Sequence, residues 1–134
     1  MIAGDGHLKE NLIRLSQGNK KIKFVGNVLK PLNFIKNLDI LVVPSIREPL
    51  GIVNIEAGLC KTSVIATNVD GIPEVITDNK SGILLNPTKK IIIEKYQDQP
   101  PIPDLVINPN TLKMQKPKQL DHKALSNIIF FFIK

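Results

Sequence analysis

The sequence is short of several residue types, and each shortage excludes a class of protein. One cysteine, Cys60, stands among 134 residues, so no disulfide can form within the chain, which is typical of a reducing compartment. No apolar run approaches the ~18 residues that a membrane span needs. Aromatic residues make up 4% and tryptophan is missing, whereas nucleic-acid sites interleave aromatic with basic residues. We therefore predict a cytoplasmic protein without a nucleic-acid partner, and leave peripheral contact with the inner face of the membrane open.

The formal charge of +6 is unevenly distributed along the chain. Residues 1–88 hold ten basic and eight acidic residues, a net charge of +2, whereas residues 89–134 hold eight lysines and four acids, a net charge of +4. A solvated basic surface is the favoured interpretation. The alternative is weak attraction of the tail to nucleotides or to anionic lipid.

Up to Leu85, short apolar runs alternate with segments of helical spacing. The order is strand, helix, strand, helix, strand, helix, strand, short helix, strand, which predicts an α/β fold with a doubly wound, Rossmann-like parallel sheet. We predict one domain over residues 1–87. Because its first residues already resemble the end of a buried strand, we expect this domain to be incomplete at its N-terminus.

Residues 88–134 are predicted to be a linker and tail. Six of the ten prolines fall within residues 86–120, which show no sustained period and are expected to be irregular. Asp121 is predicted to cap a terminal helix, which is either a docking helix or an exposed end. Its apolar positions at helical spacing are Leu125, Ile128, Ile129 and Phe132.

The stretch from Leu38 to Val75 carries the candidate chemistry. It consists of a strand that ends before Pro44, a polar loop with Glu48, a helix that begins near Gly51 and carries Glu56, and a second strand. Glycine lets a ligand approach the backbone, and the N–H groups of residues 51–53 at a helix start suit an anion such as phosphate. A carboxylate suits a pair of sugar hydroxyls. The alternative to a functional role is a structural one for each glutamate: Glu48 interacts favourably with the helix dipole, and Glu56 is a solvated surface residue.

Several ordered segments of the chain resemble glycosyltransferase family 4, retaining enzymes of the GT-B fold that use nucleotide sugars. The resemblance covers about residues 1–87 and includes the family's pair of glutamates separated by seven residues, here Glu48 and Glu56. The matching segments are Ile2–Gly6, Phe24–Gly26, Asp39–Ser45, Glu48–Gly51, Glu56–Ala57, Val64–Thr67, Gly71–Val75 and Ser81–Leu84.

The resemblance implies a role for each matching residue. Glu48 would lie at the donor sugar and the reaction centre as the catalytic residue, and Glu56 would hold the ribose hydroxyls. The remaining donor-binding residues would be Arg47, Leu50, Gly51, Ile52, Gly26 and Asn27, the last two near the nucleobase. The donor would be a UDP-, GDP- or ADP-linked sugar used in polysaccharide or glycolipid synthesis, with no metal and no cofactor.

The chain also departs from the family pattern. Leu50 replaces the usual aromatic, and Lys61 stands where glycine commonly ends the helix, which predicts strain or a different helix end. The family's diphosphate-binding Arg and Lys would lie before Met1, so we expect a truncated or split enzyme. The alternative is a non-catalytic fragment or an interaction module that pairs with a separately encoded N-terminal half.

Overall fold

A computed structural model of the chain describes residues 1–91 and 101–132. Within these two ranges the chain forms five helices and nine short strands. The helices are Lys9–Leu15 (α1), Pro31–Ile35 (α2), Ile52–Cys60 (α3), Ile72–Val75 (α4) and His122–Phe132 (α5). The strands are Ile2–Ala3 (β1), Phe24–Gly26 (β2), Ile40–Val43 (β3), Ser63–Thr67 (β4), Ile83–Leu85 (β5), Lys89–Lys90 (β6), Val106–Asn108 (β7), Lys113–Gln115 (β8) and Lys118–Gln119 (β9).

The first five strands are parallel and are joined by helices, which confirms the predicted α/β class. They form two sheets in the described part of the chain, a pair β1–β2 and a three-stranded sheet in the order β3–β4–β5. In the larger sheet, residues 40–43 pair with residues 63–66, and residues 65–67 pair with residues 83–85. The central strand β4 therefore has a neighbour on each side.

The hydrophobic core lies between the three-stranded sheet and helices α2, α3 and α4. Helix α3 turns Ala57 inward, and this small side chain lets the helix lie close to the sheet. Thr62 is buried after the helix and donates its hydroxyl to the carbonyl of Ile35, 3.0 Å away. The buried core residues are Ile35, Val43, Ala57, Val64, Ala66, Val69, Ile72 and Ile76.

Helix α3 ends where the sequence pattern places its end. Lys61 follows it in the left-handed conformation, with φ 57° and ψ 29°. A residue with a side chain is strained in this region, which glycine occupies freely. Of the two predicted outcomes, strain at an unchanged helix end is therefore the one observed. Cys60, at the last position of the helix, is half-buried and lies 3.4 Å from the carbonyl of Leu32.

The tail contains more regular structure than its sequence predicts. Strands β6 and β9 pair antiparallel, and β7 and β8 form a second antiparallel pair. These strands are two or three residues long, too short for a sequence period to reveal. The predicted division at residue 87 remains a prediction.

The terminal helix α5 follows Asp121, as predicted. The Asp121 carboxylate accepts the N–H of Lys123 at 3.0 Å and contacts the Lys89 ammonium at 3.2 Å, and these two contacts lower the Asp121 pKa. Leu125, Ile128 and Ile129 are half-buried, and the side chain of Phe132 lies outside the described residues. Ile129 lines a cavity with residues of β3, which favours the docking interpretation. None of the described helices is long and apolar enough to cross a membrane.

Candidate functional site

Two loops meet at one edge of the larger sheet. The loop of residues 44–51 follows strand β3, and the loop of residues 68–71 follows strand β4. Because β3 and β4 are adjacent and parallel, their carboxyl ends lie at the same edge. Open α/β sheets bind their ligands at this edge. The predicted residues 47–52 therefore lie where the fold favours a site.

Three hydrogen bonds fix Glu48 at this edge. Its N–H donates to the Asp70 carboxylate over 3.1 Å, and its carbonyl accepts the N–H of Gly71 over 3.2 Å. Its side-chain Oε1 accepts the N–H of Gly51 over 3.1 Å. The half-buried carboxylate is therefore held against the start of helix α3. Among the described residues, no group donates a hydrogen bond to Oε2.

Gly51 meets two requirements that favour glycine. It lies in the left-handed region, with φ 80° and ψ 57°, and a Cβ there would collide with the side-chain amide of Asn54. Its neighbours Leu50 and Ile52 are exposed. Among the described residues, no acceptor faces the N–H groups of Ile52 and Val53. The predicted anion site is therefore smaller than expected, because Glu48 already uses the N–H of Gly51.

Glu56 lies in the second turn of α3, four residues after Ile52. Residues four apart share a helix face, so Glu56 lies on the side that carries the exposed Ile52. It is half-buried, and within the described chain it has no hydrogen-bond or ion-pair partner. It can therefore accept hydrogen bonds from a ligand beside the helix.

Asn54 is a polar residue that the sequence reasoning missed. Its side chain is buried beneath Gly51, and neither amide atom has a partner among the described residues. A buried amide without partners costs stability. The signal in the sequence was an asparagine three residues before the buried Ala57, on the inward face of the helix.

Arg47 lines a cavity of about 530 Å³ beside the Glu48 loop. One wall consists of the loop and the start of α4, and the other consists of residues 105–114 of the tail. The wall from the loop and α4 comprises Arg47, Pro49, Asp70, Gly71, Pro73 and Glu74. Because the tail carries no motif, sequence reasoning missed its part in this cavity.

Gly26 and Asn27 lie at the end of the other, two-stranded sheet. Gly26 has φ 66°, accepts the N–H of Gly4 at 2.8 Å, and lies near the side chains of Asp5 and Lys9. Neither Gly26 nor Asn27 lines the cavity beside Arg47. Of the predicted site residues, Arg47 is the one in the described lining of that cavity; Glu48, Leu50, Gly51, Ile52 and Glu56 lie on helix α3 or in the loop before it. The role of Gly26 and Asn27 remains a prediction. The described residues contain no cluster of three or more metal-binding side chains.

The parallel α/β layer with two loops at the carboxyl edge of its sheet defines a Rossmann-like class of fold, and comparison with known proteins gives the family. A model of the family "Glycosyl transferases group 1" matches residues 1–98. The chain belongs to this family, as the ordered segments of its sequence predict.

Relatives and a solved structure agree with this assignment. The alpha-maltose-1-phosphate synthase of Mycolicibacterium smegmatis is 53% identical over 47 residues, which cover 35% of this chain and 12% of that enzyme. An uncharacterized glycosyltransferase of Methanocaldococcus jannaschii is 36% identical over 94 residues, which cover 65% of this chain and 24% of that protein. The matched part is thus under a quarter of either relative's length.

One solved structure with a similar fold is a GT-B protein. The crystal structure of Anabaena Alr3699/HepE in complex with UDP and glucose superposes with a TM-score of 0.55 at 27% identity. The superposition covers 63% of this chain and 26% of the Anabaena protein. The predicted Rossmann-like, GT-B-type fold is therefore confirmed.

Proposed function

We propose that this chain binds a nucleotide sugar and supplies the donor half of a retaining glycosyltransferase of family 4. The observation that carries the proposal is the fixed Glu48 carboxylate at the start of α3, followed on the same helix by the unpaired Glu56. The Anabaena neighbour, whose structure contains UDP and glucose, supports a donor of this kind.

The two glutamates take different roles in this proposal. A carboxylate repels a phosphate placed against it, so Glu48 faces the sugar, where Oε2 accepts a hydroxyl. Glu56 accepts the hydroxyls of the ribose. The N–H groups of Ile52 and Val53 face the diphosphate, which the positive end of the helix dipole favours.

Transfer breaks the bond between the anomeric carbon and the diphosphate oxygen. The acceptor hydroxyl oxygen forms the new bond to that carbon with the same configuration, its proton is released, and the nucleoside diphosphate leaves. The N–H groups of α3 stabilise the negative charge that develops on the leaving group, which is the electrostatic term that dominates many such reactions.

The donor site needs more positive charge than the described loops provide. Among the described residues that line the cavity beside these loops, Arg47 is the one cation, and Asp70 and Glu74 are acidic. We therefore propose that a separate N-terminal glycosyltransferase half contributes the remaining cations and the acceptor site. The chain alone should bind donor weakly. Its cytoplasmic location remains a prediction.

NMR titration of the 134-residue chain with UDP, GDP and ADP sugars tests the proposal. We expect one donor class to shift the amide signals of Gly51, Ile52 and Val53. Glu56→Ala should weaken its binding by about 1–3 kcal/mol, as for a hydrogen bond to a charged group. Glu10→Ala on α1 is the matched control and should leave the affinity unchanged. If no donor shifts these amides, the binding proposal is wrong.

The second candidate is an interaction module without catalysis. The observation that favours it is the exposure of Leu12, Ile13 and Leu15 on α1, which lack a covering layer among the described residues. Mixing the chain with a separately encoded N-terminal half should then slow amide exchange in α1. Slowed exchange without any donor binding by the mixture would favour this candidate over the enzyme.

A further inference from the structure

The carboxylate of Asp70 joins two parts of the chain that are distant in sequence. Oδ2 accepts the N–H of Glu48 over 3.1 Å, and Oδ1 accepts the N–H of Ile107 over 2.8 Å. The N–H of Asp70 in turn donates to the carbonyl of Ile107 over 3.4 Å. One side chain thus holds the loop of Glu48 and also holds the tail.

Ile107 belongs to the hairpin of strands β7 and β8, which we call the tail hairpin (residues 106–115). This hairpin lies outside residues 1–98, which the family model matches. Its first residue, Val106, is 2% exposed, so the hairpin is packed against the domain. Asn108 closes its turn by accepting the N–H groups of Asn110 and Thr111. The hairpin is therefore an ordered unit that Asp70 can hold.

The conformation of Asp70 supports a specific role. Its φ is 42°, in the left-handed region that disfavours most side chains, although Asp tolerates it better than most. Next to it, the Gly71 N–H donates to the Glu48 carbonyl, and a Cβ at Gly71 would collide with the carbonyl oxygen of Pro49. The two loops are therefore in contact along their backbones, and Asp70 adds the link to the tail hairpin.

We propose that Asp70 is a positioning residue for Glu48, and that the tail hairpin contributes to donor binding through its contact with Asp70. By holding the Glu48 N–H, Asp70 fixes the backbone from which the Glu48 carboxylate reaches the start of α3. By holding Ile107, it sets the position of the second wall of the 530 Å³ cavity. A change in the tail hairpin thereby reaches Glu48 through a single carboxylate. The inference rests on the proposed function, since it concerns the same site.

Asp70 would make the same hydrogen bonds if its role were only to stabilise the fold. The test must therefore measure the stability of the chain and the geometry of the Glu48 site separately. Ile107→Pro removes one N–H from the tail hairpin, and that N–H donates to Asp70 and not to strand β8. Proline is tolerated on an edge strand at such a position. The substitution therefore removes the hydrogen bond between the tail hairpin and Asp70, while the amino-acid sequence of the Glu48 loop and Asp70 itself stay unchanged.

The experiment compares Ile107→Pro, Asp70→Asn and Asp70→Ala with Asp78→Ala in the full chain. Asp78 is the matched control, because it also accepts a backbone N–H, that of Leu84 at 2.8 Å, outside the site. We measure urea unfolding, the amide signal and hydrogen exchange of Glu48, and the donor titration at Gly51. The probe is the UDP, GDP or ADP sugar that binds the unchanged chain.

If the inference holds, Asp70→Ala weakens donor affinity about tenfold, the size expected for lost hydrogen bonds to a charged group. Ile107→Pro weakens it about threefold and shifts the Glu48 amide signal, with an unfolding midpoint no lower than that of Asp78→Ala. Asp70→Asn, which keeps one acceptor oxygen, falls between the unchanged chain and Asp70→Ala. Asp78→Ala changes stability but not donor affinity.

Two results would overturn parts of the scheme separately. Normal donor affinity and an unchanged Glu48 signal in Ile107→Pro would show that the contact between Asp70 and the tail hairpin only stabilises the fold. If the unchanged chain binds no donor, but Ile107→Pro still alters the Glu48 amide, the proposed function is rejected while the link from the tail hairpin to Glu48 through Asp70 is supported.

Discussion

The described chain contains several parallel strand–helix–strand units, and two of them are packed very differently. In the unit of residues 40–67, strand β4 has four buried residues and helix α3 contributes Asn54 and Ala57 to the interior. In the unit of residues 2–26, no residue is buried, although the structure describes all of them. The same local pattern therefore produces a core in one place and an exposed layer in the other.

The difference follows from the number of neighbours. Strand β4 lies between β3 and β5 and is covered by helices, whereas among the described strands β1 pairs only with β2. The apolar area that a strand buries increases with the number of strands and helices that pack against it. The predicted site residues are divided in the same way: Glu48 lies in the buried unit and makes three hydrogen bonds, whereas Gly26 ends the exposed unit and Asn27 follows it.

The largest expected effect comes from the same substitution in each unit. Ile65→Ala in β4 removes a side chain that is 1% exposed and should lower the free energy of unfolding by about 2–5 kcal/mol. Ile13→Ala in α1 removes one that is 45% exposed and should cost about 1 kcal/mol or less. Urea unfolding followed by circular dichroism measures both, and equal losses would contradict the contrast.

One glycine in the loop that follows the buried unit and one glycine in the exposed unit provide the second test. A Cβ at Gly71 would meet the backbone of Pro49, whereas a Cβ at Gly6 would meet open space. Gly71→Ala should therefore cost about 1–3 kcal/mol, the usual range for overpacking, and should displace the Glu48 loop. Gly6→Ala should be close to neutral. Urea unfolding gives the energies, and the Glu48 amide signal reports the displacement.

These contrasts also show which structural features could be predicted from the sequence alone. The spacing of Leu12, Ile13 and Leu15 correctly predicted a helix, because local periodicity determines where a helix forms. It could not predict that this face is exposed, because burial depends on what packs against it. The glutamate pair and Gly51 were placed correctly at the start of α3 for the same local reason.

The parts that sequence reasoning missed depend on contacts between distant segments. Asp70 and Ile107 are 37 positions apart, and no spacing rule connects them. The capture of the Gly51 N–H by Glu48 depends on side-chain rotation, which a motif does not specify. The buried and unpartnered amide of Asn54 likewise results from how α3 lies on the sheet.

The third test compares the ends of the two helices. Lys61 after α3 has φ 57°, and Gln17 after α1 has φ 49°, so both are in the left-handed region that glycine occupies without strain. Lys61→Gly should raise the free energy of unfolding by about 0.5–1 kcal/mol, because it relieves strain in the buried unit. Gln17→Gly should slow amide exchange in α1 alone. A larger global gain from Gln17→Gly would contradict the separation of the units.

The smallest expected effect concerns the first residues of helices α1 and α5. Helix α1 starts after Leu8 without a side-chain cap, whereas α5 starts after Asp121, whose pKa is lowered first by the Lys123 N–H and then by Lys89. A lowered pKa means that the ionised form stabilises the folded state. This stabilisation is complete above the ordinary carboxyl pKa and is lost as the pH falls through the lowered value.

Acidification should therefore fray the start of α5 more than the start of α1, where the ion pair between Asp5 and Lys9 is largely exposed. The measurement is the amide exchange and chemical shift of Lys123 between neutral and strongly acidic pH, with an amide of α1 as the internal reference. Asp121→Asn should remove the pH dependence, because the amide side chain does not titrate, whereas Asp104→Asn in the same tail should leave it in place. If α1 and α5 fray together, the loss comes from the whole domain unfolding and not from the Asp121 cap.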